Sequence, residues 1–367
     1  MKVPFFNYPQ LYLSQKERMD HAISSVIEKG AYILQEELVH FENKLAEYTN
    51  SKYAIGVANG TDAIWLALLA AEIGTGDEVI VPSHTYIASP AAIKFVGAEP
   101  ILAECGDDHL LDPNDIEKRI TKKTKAIMPV QLNGRTCDMN KIIDIAKKNN
   151  LLIIEDSAQG LGSLYRNKMA GTFGLAGTYS FYPAKVLGCF GDGGAVVTND
   201  TTIYSKVSEM RDHGRNDSGE HVSWGFNSRL DNLQAAILLE KFKTFEEDIK
   251  LRRDIASLYH EKLGSIEGLI MPPPPGSEDH RFDTFQNFEI RCEKRNELKI
   301  FLSDNNIGTL IQWGGKAIHQ IRGLNFDCSD LPFTEKLFKN CLLIPMNSLM
   351  SLEDADYVAH MIKKFYS

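Results

Sequence analysis

Leu151-Leu152-Ile153-Ile154-Glu155-Asp156-Ser157-Ala158-Gln159 is the stretch that decides the fold. Four apolar residues in unbroken succession, closed by two acids, do not alternate as a half-exposed strand would. They read as a strand covered on both faces, the signature of a parallel sheet between helices. Six further β-rich runs share this setting, at residues 53–58, 78–82, 100–104, 124–130, 178–181 and 194–198, and helical patterns such as 63–71 fall between them. Strand then helix, repeated, predicts an α/β fold: a three-layer large domain around a mostly parallel sheet.

Beyond the sheet region the pattern changes. Leu230, Leu233 and Ile237 keep i, i+3, i+7 spacing in a helical stretch reaching about residue 263, and Pro272-Pro273-Pro274-Pro275 stops any further helix. A hinge to a second domain fits there. Residues 286–292 and 308–313 read as strands, and Ser351 followed by Asp354 reads as a capping box that opens a last helix ending at Tyr366. The expected division is an N-terminal arm and large domain over 1–250 and a smaller α+β domain over 251–367.

The 367 residues, 43% hydrophobic and 24% charged, suit a globular enzyme. A net charge of -9 without a basic face argues against nucleic acid as a partner. The six cysteines, Cys105, Cys137, Cys189, Cys292, Cys328 and Cys341, form no C-x-x-C pair and read as reduced thiols, so a cytoplasmic location is expected. No apolar run approaches the roughly 18 to 20 residues that cross a bilayer, and the N-terminus lacks the apolar core of a signal peptide, so no membrane partner is expected.

In open α/β sheets the carboxyl ends of the strands face the ligand crevice, which places Asp156 where a ligand would sit. Downstream lies Lys185, in Ser180-Phe181-Tyr182-Pro183-Ala184-Lys185. A lysine amine can form a Schiff base with an aldehyde, and a buried carboxylate can keep a pyridine nitrogen protonated; together they suggest pyridoxal phosphate chemistry. Asn59-Gly60-Thr61-Asp62, between a strand and a helix, offers backbone amides to an anion. Tyr86, in Pro82-Ser83-His84-Thr85-Tyr86, could stack on an aromatic ring. Each has a plainer reading: a solvated lysine, an acid capping a helix, an Asn-Gly turn, a packed tyrosine. Gly191-Asp192-Gly193-Gly194 is a turn into a strand rather than a dinucleotide fingerprint, and no metal, P-loop or hydrolase motif occurs.

Taken in order, these segments, followed by Gly191-Asp192-Gly193-Gly194-Ala195, Asn227-Ser228-Arg229-Leu230-Asp231 and Gln234-Ala235-Ala236, resemble the DegT/StrS family of pyridoxal phosphate sugar aminotransferases, which have the aspartate aminotransferase (fold type I) architecture. The resemblance implies that Lys185 carries the Schiff base and that Asp156 pairs with the pyridine nitrogen. Gln159 would contact the ring hydroxyl and Tyr86 stack on the ring. Gly60, Thr61 and Ser180 would hold the phosphate, joined by Asn227 from the second subunit of a homodimer with shared sites. It also implies L-glutamate as amino donor, pyridoxamine phosphate as the intermediate form of the cofactor, and a ketone at C3 or C4 of a nucleoside diphosphate-linked hexose as acceptor. The product would be an amino sugar for a glycan or natural product. Lys185 argues against the related sugar dehydratases, which carry histidine there; a non-catalytic sensor of the same fold remains open. Val186, Gln131-Leu132-Asn133-Gly134 and Gln312-Trp313-Gly314-Gly315 depart from the commoner pattern. Trp313 and His319 are candidates for substrate contact, against a core role for Trp313 and a surface role for His319.

Overall fold

The computed structural model describes residues 1–326 and 330–367. The central sheet is built from β1 (Tyr53–Val57), β2 (Glu78–Pro82), β3 (Glu99–Ala103), β4 (Thr124–Ile127) and β5 (Leu152–Asp156), with two strands from further on. Between them, β6 (Leu164–Tyr165) and β7 (Lys168–Met169) make a short side hairpin. The sheet is then completed by β8 (Ala176–Ser180) and β9 (Gly194–Thr198). Its spatial order is β1-β9-β8-β5-β4-β2-β3. Only β9 runs against the rest, pairing antiparallel with both β1 and β8.

The β5 ladder shows why its sequence is continuous. Ala126 and Ile127 pair with Leu152 and Ile153 on one side, and Ile154, Glu155 and Asp156 pair with Ala176, Gly177 and Thr178 on the other. Ile153 and Ile154 are buried in one core with Val79, Ile80 and Ile127, beneath Ile64 and Leu66 of the helix Gly60–Ala70. Each such side chain contributes about 1.5–3 kcal/mol when fully buried. The ladder of β4 stops at Ile127 rather than at the expected residue 130 because Pro129 has no amide to donate, and Val130 returns as an isolated bridge to Asp156.

A second core gathers Ile255, Tyr259 and Leu263 with Phe288, Leu342, Val358 and Ile362. It covers β11 (Phe288–Arg291) and β12 (Cys341–Ile344), an antiparallel pair that follows β10 (Arg281–Phe282), the partner of β6. Val3 also lies in this second core.

Two further expectations need correction. The helical stretch to residue 263 is two helices, Asn232–Phe242 and Phe245–Leu263. The break at Lys243 and Thr244 lets Phe242 and Phe245 both pack on Tyr48, with ring centroids 5.2 and 5.5 Å away. Residues 308–313 are not a strand: Leu310 makes a lone bridge to Leu343, and Trp313, Gly314 and Gly315 then take three successive positive φ angles, which no ladder accommodates. The last helix, Leu352–Tyr366, opens as expected, with Ser351 Oγ accepting the Asp354 N–H at 3.1 Å and Asp354 Oδ2 accepting the Ser351 N–H at 3.0 Å.

Cys105, Cys137, Cys189, Cys292 and Cys341 are buried free thiols; Cys328 lies outside the described residues. Among the described residues no helix is long and apolar enough to cross a membrane.

Candidate active site

A cleft of about 690 Å³ opens at the carboxyl ends of β1, β2, β5 and β8. It gathers Gly60, Thr61, Tyr86, Asp156, Gln159, Ser180, Lys185 and Trp313, the sequence candidates apart from Asn227 and His319.

Lys185 stands on the turn that leaves β8. Its own amide donates to the Tyr182 carbonyl at 2.8 Å. Gln286, brought from just before β11, accepts the Val186 N–H at 2.9 Å and donates to the Ala184 carbonyl at 2.9 Å, fixing the backbone on both sides of the lysine. Burial pushes the Lys185 amine down to about 8, against the pull of the Asp156 carboxylate.

Asp156 closes β5 and is 5% exposed. Its Oδ2 accepts Ser89 Oγ at 2.7 Å and its Oδ1 accepts the Ala158 N–H at 3.1 Å. Burial raises its pKa, while Ser89, the Ala158 amide and Lys185 pull it back. The neighbouring Glu155 has a different task. It accepts the amides of Gly171, Phe173 and Gly174 at 2.6–2.9 Å and Gln131 Nε2 at 2.7 Å, so it ties a loop to the sheet.

The helix Gly60–Ala70 starts directly after β1. Asn59 caps it: Asn59 Oδ1 accepts the Asp62 N–H at 2.8 Å, while the Asp62 carboxylate takes Ser228 Oγ at 2.6 Å and Trp65 Nε1 at 3.1 Å. The amides of Gly60 and Thr61 have no intrahelical acceptor and lie on the cleft lining. A Cβ on Gly60 would meet Ser180 Cβ at 2.7 Å, so bare backbone is required where the helix meets β8. The opening of this helix is a cradle for an anion.

Tyr86 is 55% exposed, which sets aside the packed-core reading. Gln159 Oε1 accepts the Asn133 N–H at 2.9 Å and Asn287 Nδ2 at 3.2 Å. Trp313 does two things: it lines the cleft, and it packs on the rings of His84 and Phe338, at 5.4 and 6.0 Å. Asn227 is exposed in a neighbouring hollow with Gly191, Arg229 and Gln234, and the two hollows share Asp192. His319 lies off the cleft lining and is not a surface residue: its side chain is 3% exposed, with Nδ1 2.7 Å from Ser83 Oγ and Nε2 3.4 Å from Glu335.

Sequence reasoning missed Ser89, Asn133, Gln286 and Asn287. Ser89 could have been found, since it follows Tyr86 by three residues where a helix begins after a strand end. Gln286 and Asn287 carry no local signal, because their partners lie about a hundred residues or more away.

Comparison with known proteins places this site in a family. The DegT/DnrJ/EryC1/StrS aminotransferase family matches residues 13–363. A dTDP-3-amino-3,6-dideoxy-alpha-D-galactopyranose transaminase from Aneurinibacillus thermoaerophilus is 39% identical over 364 residues, covering 99% of both chains. A protein of Geobacillus stearothermophilus named pleiotropic regulatory protein is 37% identical, covering 100% of this chain and 99% of its own. The crystal structure of S. venezuelae DesV in complex with a ketimine intermediate superposes with a TM-score of 0.95 at 35% identity, covering 100% of this chain and 99% of that one.

Proposed function

The chain belongs to the DegT/DnrJ/EryC1/StrS aminotransferase family, and from that premise we propose that this pyridoxal phosphate-dependent enzyme aminates the C3 or C4 ketone of a hexose linked to a nucleoside diphosphate, with L-glutamate as donor. The observation that carries the reading is the meeting of Lys185 and Asp156 in one cleft that has an anion cradle in its wall. The product is an amino sugar for a glycan or natural product.

The residues present suit the cofactor. Gly60, bare where Ser180 packs against it, and Thr61 present the first amides of the helix to the cleft, which Ser180 also lines. Asp156 is a buried acid bonded to a hydroxyl and an amide, so a protonated ring nitrogen would give it the cationic partner that stabilises its charged form. When bound, pyridoxal phosphate supplies an aldehyde that carries the amino group between two substrates and a ring that draws electrons from the carbon losing its proton.

The chain's own residues do the rest. Lys185, its amine lowered to about 8 from the ordinary lysine range, reaches the neutral form at far lower pH than a solvent-exposed lysine does, as a nucleophile to anchor the cofactor and as a base to move a proton once released. Asp156 holds a proton on the ring nitrogen, Gln159 donates to the ring hydroxyl, and Tyr86 covers the ring face. Trp313 forms the wall on the sugar side. Asn227, beside the cleft rather than in it, reaches the phosphate site of a second copy in a cytoplasmic homodimer. We divide the chain at residues 250 and 251, inside the helix Phe245–Leu263, since Ile249 packs with Leu38 and Phe41 while Ile255 packs with Phe288.

The test is addition of L-glutamate to the yellow holoenzyme, followed by dTDP-, UDP- or GDP-linked keto-hexoses. Bleaching of the visible band with release of 2-oxoglutarate, then return of the band with a keto-sugar, is expected. A band that persists with every common amino donor would defeat the reading in favour of a cofactor-binding sensor; the name of the Geobacillus relative speaks of regulation.

A further inference from the structure

Gln159 is held by a relay of amides that originates far along the chain. Its Oε1 accepts two donors, the Asn133 backbone N–H and Asn287 Nδ2. A backbone N–H can only donate, so the side-chain amide has one orientation: oxygen toward the relay, Nε2 away from it. Asn287 Nδ2 also donates to Asn133 Oδ1 at 2.9 Å, and the same oxygen accepts Gln312 Nε2 at 2.8 Å. Every bond is donated toward the turn or toward Gln159: Gln312 and Asn287 give to Asn133 Oδ1, and Asn287 and the Asn133 N–H give to Gln159 Oε1.

The backbone is shaped for this. Asn133 sits at φ 55°, in the left-handed region that asparagine enters more readily than most residues. Gly134 follows at φ 85°, and a Cβ there would lie 2.5 Å from the Gln286 amide nitrogen, so only glycine lets residues 284–287 pack on the turn. The Thr284 N–H then bonds the Gly134 carbonyl at 2.8 Å.

We propose that Asn287 is a positioning residue for the cofactor: its Nδ2 fills the second acceptor site of Gln159 Oε1, which the Asn133 N–H already turns toward the relay, and so holds Nε2 toward the cleft as a donor to the ring hydroxyl. Through Asn133 and Gln312 it also joins that donor to the segment carrying the Trp313 wall. The proposal rests on Gln159 facing the ring, as stated above, and is independent of which sugar is aminated.

The apoenzyme is titrated with pyridoxal phosphate and the Kd read from quenching of intrinsic fluorescence, for the wild type, Asn287→Leu, Gln159→Leu and the double variant. Asn287→Leu removes both of the part-buried bonds that Nδ2 makes and is expected to raise Kd about tenfold, the equivalent of one hydrogen bond from Gln159 to the ring. It should also move the pH at which the bound chromophore changes its visible band. In the Gln159→Leu background the same substitution should change Kd less than about twofold. An equal effect in both backgrounds, or an unchanged Kd for Asn287→Leu, overturns the proposal; an unchanged Kd for Gln159→Leu overturns it together with the assignment of Gln159 to the ring. Should Asn287→Leu not fold, Gln312→Leu, which removes only the outer bond, decides the matter: about threefold in the wild type and nothing beside Gln159→Leu is expected, and equal effects overturn the proposal. No sugar acceptor enters these measurements, so a failed search for the acceptor leaves them intact.

Discussion

Gln286 grips the chain on both sides of Lys185, accepting from the amide after it and donating to the carbonyl before it, each at 2.9 Å. Gln286 is 6% exposed and its two bonds are partly buried, so their loss leaves an amide and a carbonyl short of a partner. Gln286→Leu should destabilise the holoenzyme by about 1–3 kcal/mol, read by thermal denaturation. It should lower kcat by roughly 10- to 100-fold through misplacement of the amine, with little change in KM for the sugar. Unaltered kcat in a folded variant would show that the grip is incidental.

Lys185 should capture pyridoxal phosphate with an unusual pH dependence. Its pKa is lowered to about 8, so the amine is protonated and unreactive below that value and neutral above it. The rate of reconstitution of the apoenzyme should therefore rise about tenfold per pH unit below 8 and level off above it, whereas an ordinary lysine would keep gaining until about 10.4. Stopped-flow absorbance measures this. Lys185→Ala should abolish turnover, retain non-covalent cofactor binding, and give no adduct after borohydride reduction.

The Gly60 contact makes a steric prediction. Gly60→Ala pushes a methyl group to 2.7 Å from Ser180 Cβ, and relief must come from the helix start or the end of β8. A cost of about 1–3 kcal/mol is expected, felt as roughly 10- to 100-fold weaker cofactor affinity. Gly323→Ala, whose new methyl would meet nothing within 4 Å, is the control and should leave affinity unchanged.

Asn227 offers a complementation test of the shared site. Subunits carrying Lys185→Ala and subunits carrying Asn227→Ala are each expected to be impaired. Random mixing makes half the dimers hybrid, each with one intact site, so activity should recover to about a quarter of the wild type. Verified hybrids with no recovery would remove Asn227 from the second copy's phosphate site.

What could be read from the chain follows the range of the forces involved. Ile153 and Ile154 announce their strand because burial on both faces is a local compositional demand, and Asp156 inherits its place from that strand end. The helix start at Asn59 and Gly60 is equally local. Gln286 and Asn287 were invisible because their meaning lies in bonds to residues 184, 186, 133 and 159, which only the folded chain brings near. The misread segment at Trp313 fails for a related reason: an apolar, Gly-flanked run fits a strand, and only tertiary packing against His84 and Phe338 coils it instead.

Glu155 and Asp156 are chemically near-twins on consecutive positions of β5, one anchoring a loop through three amides and the other serving the cleft. Side chains along a strand alternate between faces, so sliding β5 by a single residue would turn Glu155 to the cleft face and Asp156 to the loop face. The misaligned molecule would still carry an acid on each side and would look well formed by charge count, yet the longer carboxylate would intrude on the ring pocket and the shorter would fall short of the 171–174 amides. Insertions or deletions within residues 151–156 should thus be far more damaging to this enzyme than substitutions that preserve the spacing.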